Sequence, residues 1–181
     1  MAKKNEIIAL FEIPKYSLTV KLFDNKESKI MDKISSFYID KKEMSSNKII
    51  ALFEVPENDL NVKIFDNKHS KILKKIKQLI IDKEEIIPSE YYTFEKEGIH
   101  SIYMILHSKL DTMENLFSDC FYLKEIDLSN LISSNIASME GLFQRCISLT
   151  YVDFGNIDTS NVLDMQKMFL GCCQIKELDL Y

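Results

Sequence analysis

The chain has 181 residues, 46% hydrophobic and 28% charged, with four glycines, three prolines and no tryptophan. That balance excludes a wholly disordered molecule and supplies enough apolar side chain for one core or two small ones, while apolar runs such as Ile49 to Phe53 are too short to span a bilayer. Net charge is −5, and residues 113–181 carry only four cations against ten carboxylates, so nucleic acid is a poor partner for that region.

Taken from the start, MAKKNEIIALFEIPK has two lysines and an apolar run broken at Glu12 and Pro14, which does not fit an export signal. Four cysteines without such a signal point to a reducing compartment. The expected localisation is cytoplasmic, with the cell surface by an unrecognised route as the alternative, and no membrane insertion is expected. Asn5 to Met44 returns as Asn47 to Ile86 at an offset of about 42, with roughly 24 of 40 positions identical; EIIALFEIP matches KIIALFEVP, and VKLFDNKESKI matches VKIFDNKHSKI. Residues 1–46 therefore read as a partial β-rich copy, a half-domain expected to pair with the second copy or a neighbouring molecule.

Residues 47–112 predict a β-rich, sandwich-like domain. KIIALFEV, LNVKIFD, IKQLIID, YYTFE and HSIYMIL are short apolar segments separated by polar turns. Over 70–81 two readings stay open, because Ile72, Ile76, Leu79 and Ile80 also fall on one helical face with Ser70 as a plausible cap.

From Met113 a second repeat begins, with a period of about 26. Met113, Met139 and Met165 align, as do Phe117, Phe143 and Phe169, Cys120, Cys146 and Cys172, and Asp127, Asp153 and Asp179. In Met139-x-x-Leu142-Phe143-x-x-Cys146 the spacing i, i+3, i+4, i+7 predicts a short helix. Leu149-x-x-Val152-x-Phe154 then predicts a short strand with Val152 and Phe154 inward and Tyr151 and Asp153 outward. Units of this kind bury a core only by stacking.

The recurring M-x-x-[LM]-F-x-x-C-x-x-[LI]-x-x-[LIV]-D-[LF], followed by S-N-[IV], resembles the BspA-like leucine-rich repeats of bacterial surface proteins and of protists. The resemblance covers about 69 residues, 113–181, and YYTFEKEGIHSIYMIL resembles the segment that leads into such arrays. It implies a solenoid used for adhesion or protein binding, with no enzyme activity. The fold expected is thus α+β: a partly duplicated, β-rich N-terminal region followed by a leucine-rich-repeat solenoid of two and a half units, 113–181.

The outward strand positions are the candidate partner-binding residues: Lys124, Glu125, Asp127 and Ser129, then Thr150, Tyr151 and Asp153, then Lys176, Glu177 and Asp179. Concave faces of repeat proteins present such side chains at regular intervals, and Tyr151 is the expected hot spot. The cysteines are one repeat apart and occupy a core row, unlike the closely spaced ligand pairs of structural zinc. His69, His100 and His107 form no nucleophile–base motif, and the glycines are isolated, so no catalytic residue, cofactor or metal is expected. The function expected is a non-enzymatic protein-interaction or scaffold module. A structural subunit or self-associating protein docked through an uncapped C-terminal edge, or a surface adhesin, is the alternative.

Overall fold

KIIALFEV shows no polar alternation until Glu54, the pattern of a strand covered on both sides. In the computed structural model, which describes residues 8–11, 18–21 and 47–175, it is a central strand. The chain divides into two compact units, Met1–Met44 and Ser45–Tyr181. In the first, β1 (Ile8–Phe11) and β2 (Leu18–Lys21) form an antiparallel pair, with Ile8 opposite Lys21 and Phe11 opposite Leu18.

The second unit holds β3 (Lys48–Val55), β4 (Asn61–Lys63), β5 (Ile76–Ile81), β6 (Glu84–Ile86), β7 (Tyr91–Thr93), β8 (Gly98–Leu106), β9 (Leu123–Asp127) and β10 (Tyr151–Asp153). Six of these make one sheet in the order β10-β9-β3-β8-β5-β6, while β4 and β7 pair separately. Only β10 and β9 run parallel within the sheet; its other neighbours are antiparallel, so the sheet is mixed. The open reading at 70–81 resolves into both possibilities in sequence, a single 3-10 turn at Ile72–Lys74 and then β5. Asp82 and Lys83 both have positive φ (47° and 80°), the two-residue turn that matches the twist of a hairpin between β5 and β6.

Two expectations are corrected here. The α+β class fails: among the described residues the only helical element is the 3-10 turn, and the protein is nearly all β. The helix-and-strand solenoid fails with it, since β9 and β10 are not a separate array but extend the same mixed sheet through β3. Among the described residues, β3, β5, β6 and β8 lie in the same sheet as β9 and β10.

The physical reason lies in where the amide protons go. In a helix every N–H points along the axis. Here they alternate: Leu116, Ser118 and Cys120 close tight turns onto the carbonyls three residues back, whereas Met113, Asn115, Phe117 and Asp119 donate sideways to Ser138, Glu140, Leu142 and Gln144 of the next repeat at 2.8–2.9 Å. The pattern recurs one repeat on, with Met139, Gly141, Phe143 and Arg145 donating to Asp164, Gln166, Met168 and Leu170. Such a chain of turns needs left-handed residues, and these fall in register: φ is 53°, 60° and 56° at Asn115, Gly141 and Lys167, and 61°, 62° and 84° at Asp119, Arg145 and Gly171. The apolar spacing suits consecutive turns as well as a helix.

The aligned apolar rows nevertheless share one interior, continuous with that of β3 and β8. Ile49, Ala51, Phe53 and Val55 join Leu116, Phe117, Leu142 and Phe143 in a single cluster. Phe117 stacks on Phe143 at 5.8 Å between centroids and Phe143 on Phe169 at 5.6 Å. Cys120 and Cys146 are buried in it as free thiols. The Cys146 Sγ–H donates to the Phe117 carbonyl and that of Cys172 to Phe143, each at 3.0 Å. Burial pushes all three thiols upward, Cys172 to about 11.

Candidate interaction surface

Register decides which candidate residues share a face. Ile50 is opposite both Tyr103 and Asp127, and Asp127 is opposite Asp153. One transverse row therefore runs Asp153, Asp127, Ile50, Tyr103, Ile80, and a second runs Tyr151, Glu125, Leu52, Ser101. Of the proposed binding residues, Glu125, Asp127, Tyr151 and Asp153 thus lie at the margin of a sheet face whose middle is apolar. Ile50, Leu52 and Tyr103 are buried, whereas Tyr151, Asp127 and Asp153 are partly exposed.

Each candidate has a distinct setting. The ammonium of Lys124 pairs with Glu54 on β3, and its carbonyl receives the Thr150 N–H at 2.8 Å and the Thr150 hydroxyl at 3.0 Å. Glu125 is 4% exposed and so is not presented; its Oε2 has no hydrogen-bond partner. It shares its face with Leu52 opposite, which is buried as well, so both faces of β9 are covered here and Glu125 and Ile126 are buried in succession. Thr150 is exposed. Lys176, Glu177 and Asp179 lie outside the described residues.

Asp127 and Asp153 do local work. Asp127 accepts the Ser129 N–H and Asp153 the Gly155 N–H, both at 2.8 Å, so each carboxylate closes the turn that follows its strand. The two acids neighbour one another at the inter-strand spacing, about 5 Å. Burial raises the Asp153 carboxyl above its ordinary value, the Gly155 N–H draws it back, and the charge of Asp127 raises it further. Across the same face, burial lowers the Lys48 ammonium, with Asp127 opposing that shift. A Cβ on Gly155 (φ 53°) would stand 2.5 Å from the Ser129 Cβ, so the two turns touch.

Sequence reasoning missed Asn47. Its amide donates to the Ser108 carbonyl and its oxygen accepts the Ile132 N–H, both at 2.8 Å, tying the start of β3 to the repeats. A signal existed, because Asn5 occupies the same place in the first copy. Arg145 was also passed over as a contact residue; it pairs with Asp119 at 3.0 Å, one repeat back, and lies over the Phe121 ring.

The histidines are held by neighbours. His100 Nδ1 meets Asp82 at 2.5 Å while Nε2 donates to the Lys96 carbonyl at 3.0 Å; His69 pairs with Glu114 at 2.7 Å, and His107 Nε2 donates to the Lys74 carbonyl at 2.8 Å. Among the described residues no group of three or more metal-binding side chains converges, and no helix is long and apolar enough to cross a membrane.

A family model described as DUF285, Mycoplasma protein of unknown function, matches residues 92–180. This overturns the expected BspA-like leucine-rich repeat and the protist connection that came with it. The matched segment starts within β7 and takes in β8 together with the repeats. No curated protein and no solved structure matches the chain.

Proposed function

We propose that the chain is a non-enzymatic protein-binding or scaffold module that engages a basic partner segment along its β9–β10 margin. The observation that carries this reading is the pairing of Asp127 with Asp153, beside the partly exposed ring of Tyr151, in a region with four cations against ten carboxylates. An amphipathic aromatic beside two partly exposed carboxylates suits a Lys- or Arg-bearing partner, in which the ring supplies contact area and the acids supply steering. The non-enzymatic part rests on the histidines: His100, the most buried, has both nitrogens engaged and offers no free base. Comparing partners co-purified with wild type and with Tyr151→Ala/Asp153→Lys tests the proposal. Loss of a partner with an unchanged circular dichroism spectrum is expected; identical capture by both proteins removes the surface from consideration.

A second reading is docking of a larger assembly through the third repeat. Met165 is 46% exposed where its counterpart Met139 is 1%, and Leu163 and Leu170 stand out at 90% and 55%. Size-exclusion chromatography with light scattering separates the readings, because a monomer at high concentration argues against self-docking there.

A further inference from the structure

Residues 47–86 of the second unit have a near copy in residues 5–44 of the first. In the second unit, residues 47–86 place β3 between β8 and β9, with Ile49, Ala51, Phe53, Val62, Phe65, Ile72, Ile76 and Ile81 in the core. The first copy carries identical residues at these eight positions, Ile7, Ala9, Phe11, Val20, Phe23, Ile30, Ile34 and Ile39, and other apolar residues at the remaining three core positions of the segment, with Ile13, Leu22 and Phe37 for Val55, Ile64 and Leu79. The side chains that grip the rest of the sheet recur as well. Asn47 holds Ser108 and Ile132, Glu54 pairs with Lys124, Lys75 reaches the Lys109 carbonyl and Asp111, and Asp82 binds His100 and the Ser101 N–H. Their counterparts are Asn5, Glu12, Lys33 and Asp40, unchanged in kind.

Local sequence does not fix how this segment pairs. Ile8–Phe11 pairs with Leu18–Lys21, yet the matching Ile50–Phe53 and Leu60–Lys63 do not pair with each other, since β3 joins β8 and β9 while β4 joins β7. Context makes the choice.

We infer that residues 5–44 are an alternative occupant of the seat between β8 and β9, so that the chain can exchange one copy for the other within the same molecule. Joining residue 44 to β7 would leave a loop of residues 45–90, and loop closure grows only slowly with length. Three contacts bias the exchange toward the second copy. Lys48 shares a buried face with Asp127, Asp59 accepts the Tyr122 hydroxyl at 2.8 Å, and His69 pairs with Glu114 at 2.7 Å. The first copy has Glu6, Ser17 and Glu27 there, two of which set like charges together. The inference is independent of the partner-binding reading.

Exchanging those three positions in the full chain tests it: Glu6→Lys, Ser17→Asp and Glu27→His together with Lys48→Glu, Asp59→Ser and His69→Glu. Amide hydrogen exchange read by mass spectrometry should protect 49–55 in the wild type and 7–13 in the exchanged chain, with a shift of at least about tenfold in rate at each. Slow exchange persisting at 49–55, or fast exchange at both, overturns the inference. A transfer of protection seen only in a dimer overturns the single-molecule form. As a second arm, Ala51→Pro should keep a cooperative melt that Ala9→Pro/Ala51→Pro loses; equal loss in both variants contradicts it.

Discussion

Truncating Phe143 to alanine probes the interior that joins the repeats. Its ring is fully buried, stacked on Phe117 at 5.8 Å and 12° and on Phe169 at 5.6 Å and 21°, with the edge of Phe154 at 6.4 Å. Neighbours on both sides are fixed by the inter-repeat hydrogen bonds, which limits collapse into the space left behind. The loss should therefore be about 4 kcal/mol, within the usual span for a buried phenylalanine. With unfolding entropy of about 2 cal/mol/K per residue over the unit Ser45–Tyr181, that is about 14 °C in midpoint. Phe169→Ala, in which a partly exposed ring is removed, should cost about half as much. Thermal and urea melts followed by circular dichroism measure both. If Phe143→Ala falls within about 1 kcal/mol of wild type, or Phe169→Ala matches it, the stacked interior is wrong.

Further outcomes follow from the same geometry. Of the four thiols, exposed Cys173 should react with a disulfide reagent quickly, Cys172 slowly, and buried Cys120 and Cys146 only after denaturant is added, as timed absorbance titration would reveal. Gly155→Ala should destabilise by about 2–3 kcal/mol, because the left-handed backbone and the contact with Ser129 both resist a Cβ; an urea midpoint unchanged from wild type would contradict this. Burial pushes the Asp66 carboxyl up, but the Lys63 hydrogen bond, the Lys68 N–H and the charges of Lys63 and His69 outweigh it and hold Asp66 below the ordinary range. The unfolded chain then binds its proton first as pH falls, so this contribution is complete above the ordinary carboxylate value and is lost through the lower, folded one. Asp66→Asn should flatten that part of the stability-versus-pH curve measured by urea titration between pH 5 and 2.

The strands of the second unit were legible because residues such as Ile49–Val55 and Ile102–Leu106 are apolar on both faces, which a strand in mid-sheet requires and a short amphipathic helix does not. The inward setting of Val152 and the outward setting of Tyr151 followed from simple alternation. The helices of the repeats were misread because Met139, Leu142, Phe143 and Cys146 fit a period of 3.6, and periodicity does not report amide direction. The positive φ at Gly141 and Gly171 left a trace in the sequence, but Asn115, Asp119, Arg145 and Lys167 adopt the same region without glycine. Glu125 was expected on the surface because alternation sets it on the face opposite Ile126 and does not tell that this face, shared with Leu52, is itself covered. That β9 pairs with β3 could not be read at all, since long-range pairing is set by a sheet edge and not by either strand alone.

The account turns on the repeats being hydrogen-bonded into the sheet of the duplicated segment. Backbone NOEs in a uniformly labelled sample should link Ala51 with Ile126 and Leu52 with Glu125 in an antiparallel pattern, alongside parallel contacts between Val152 and Ile126. Parallel contacts within the repeats, with none from Leu123–Asp127 to Lys48–Val55, would contradict it.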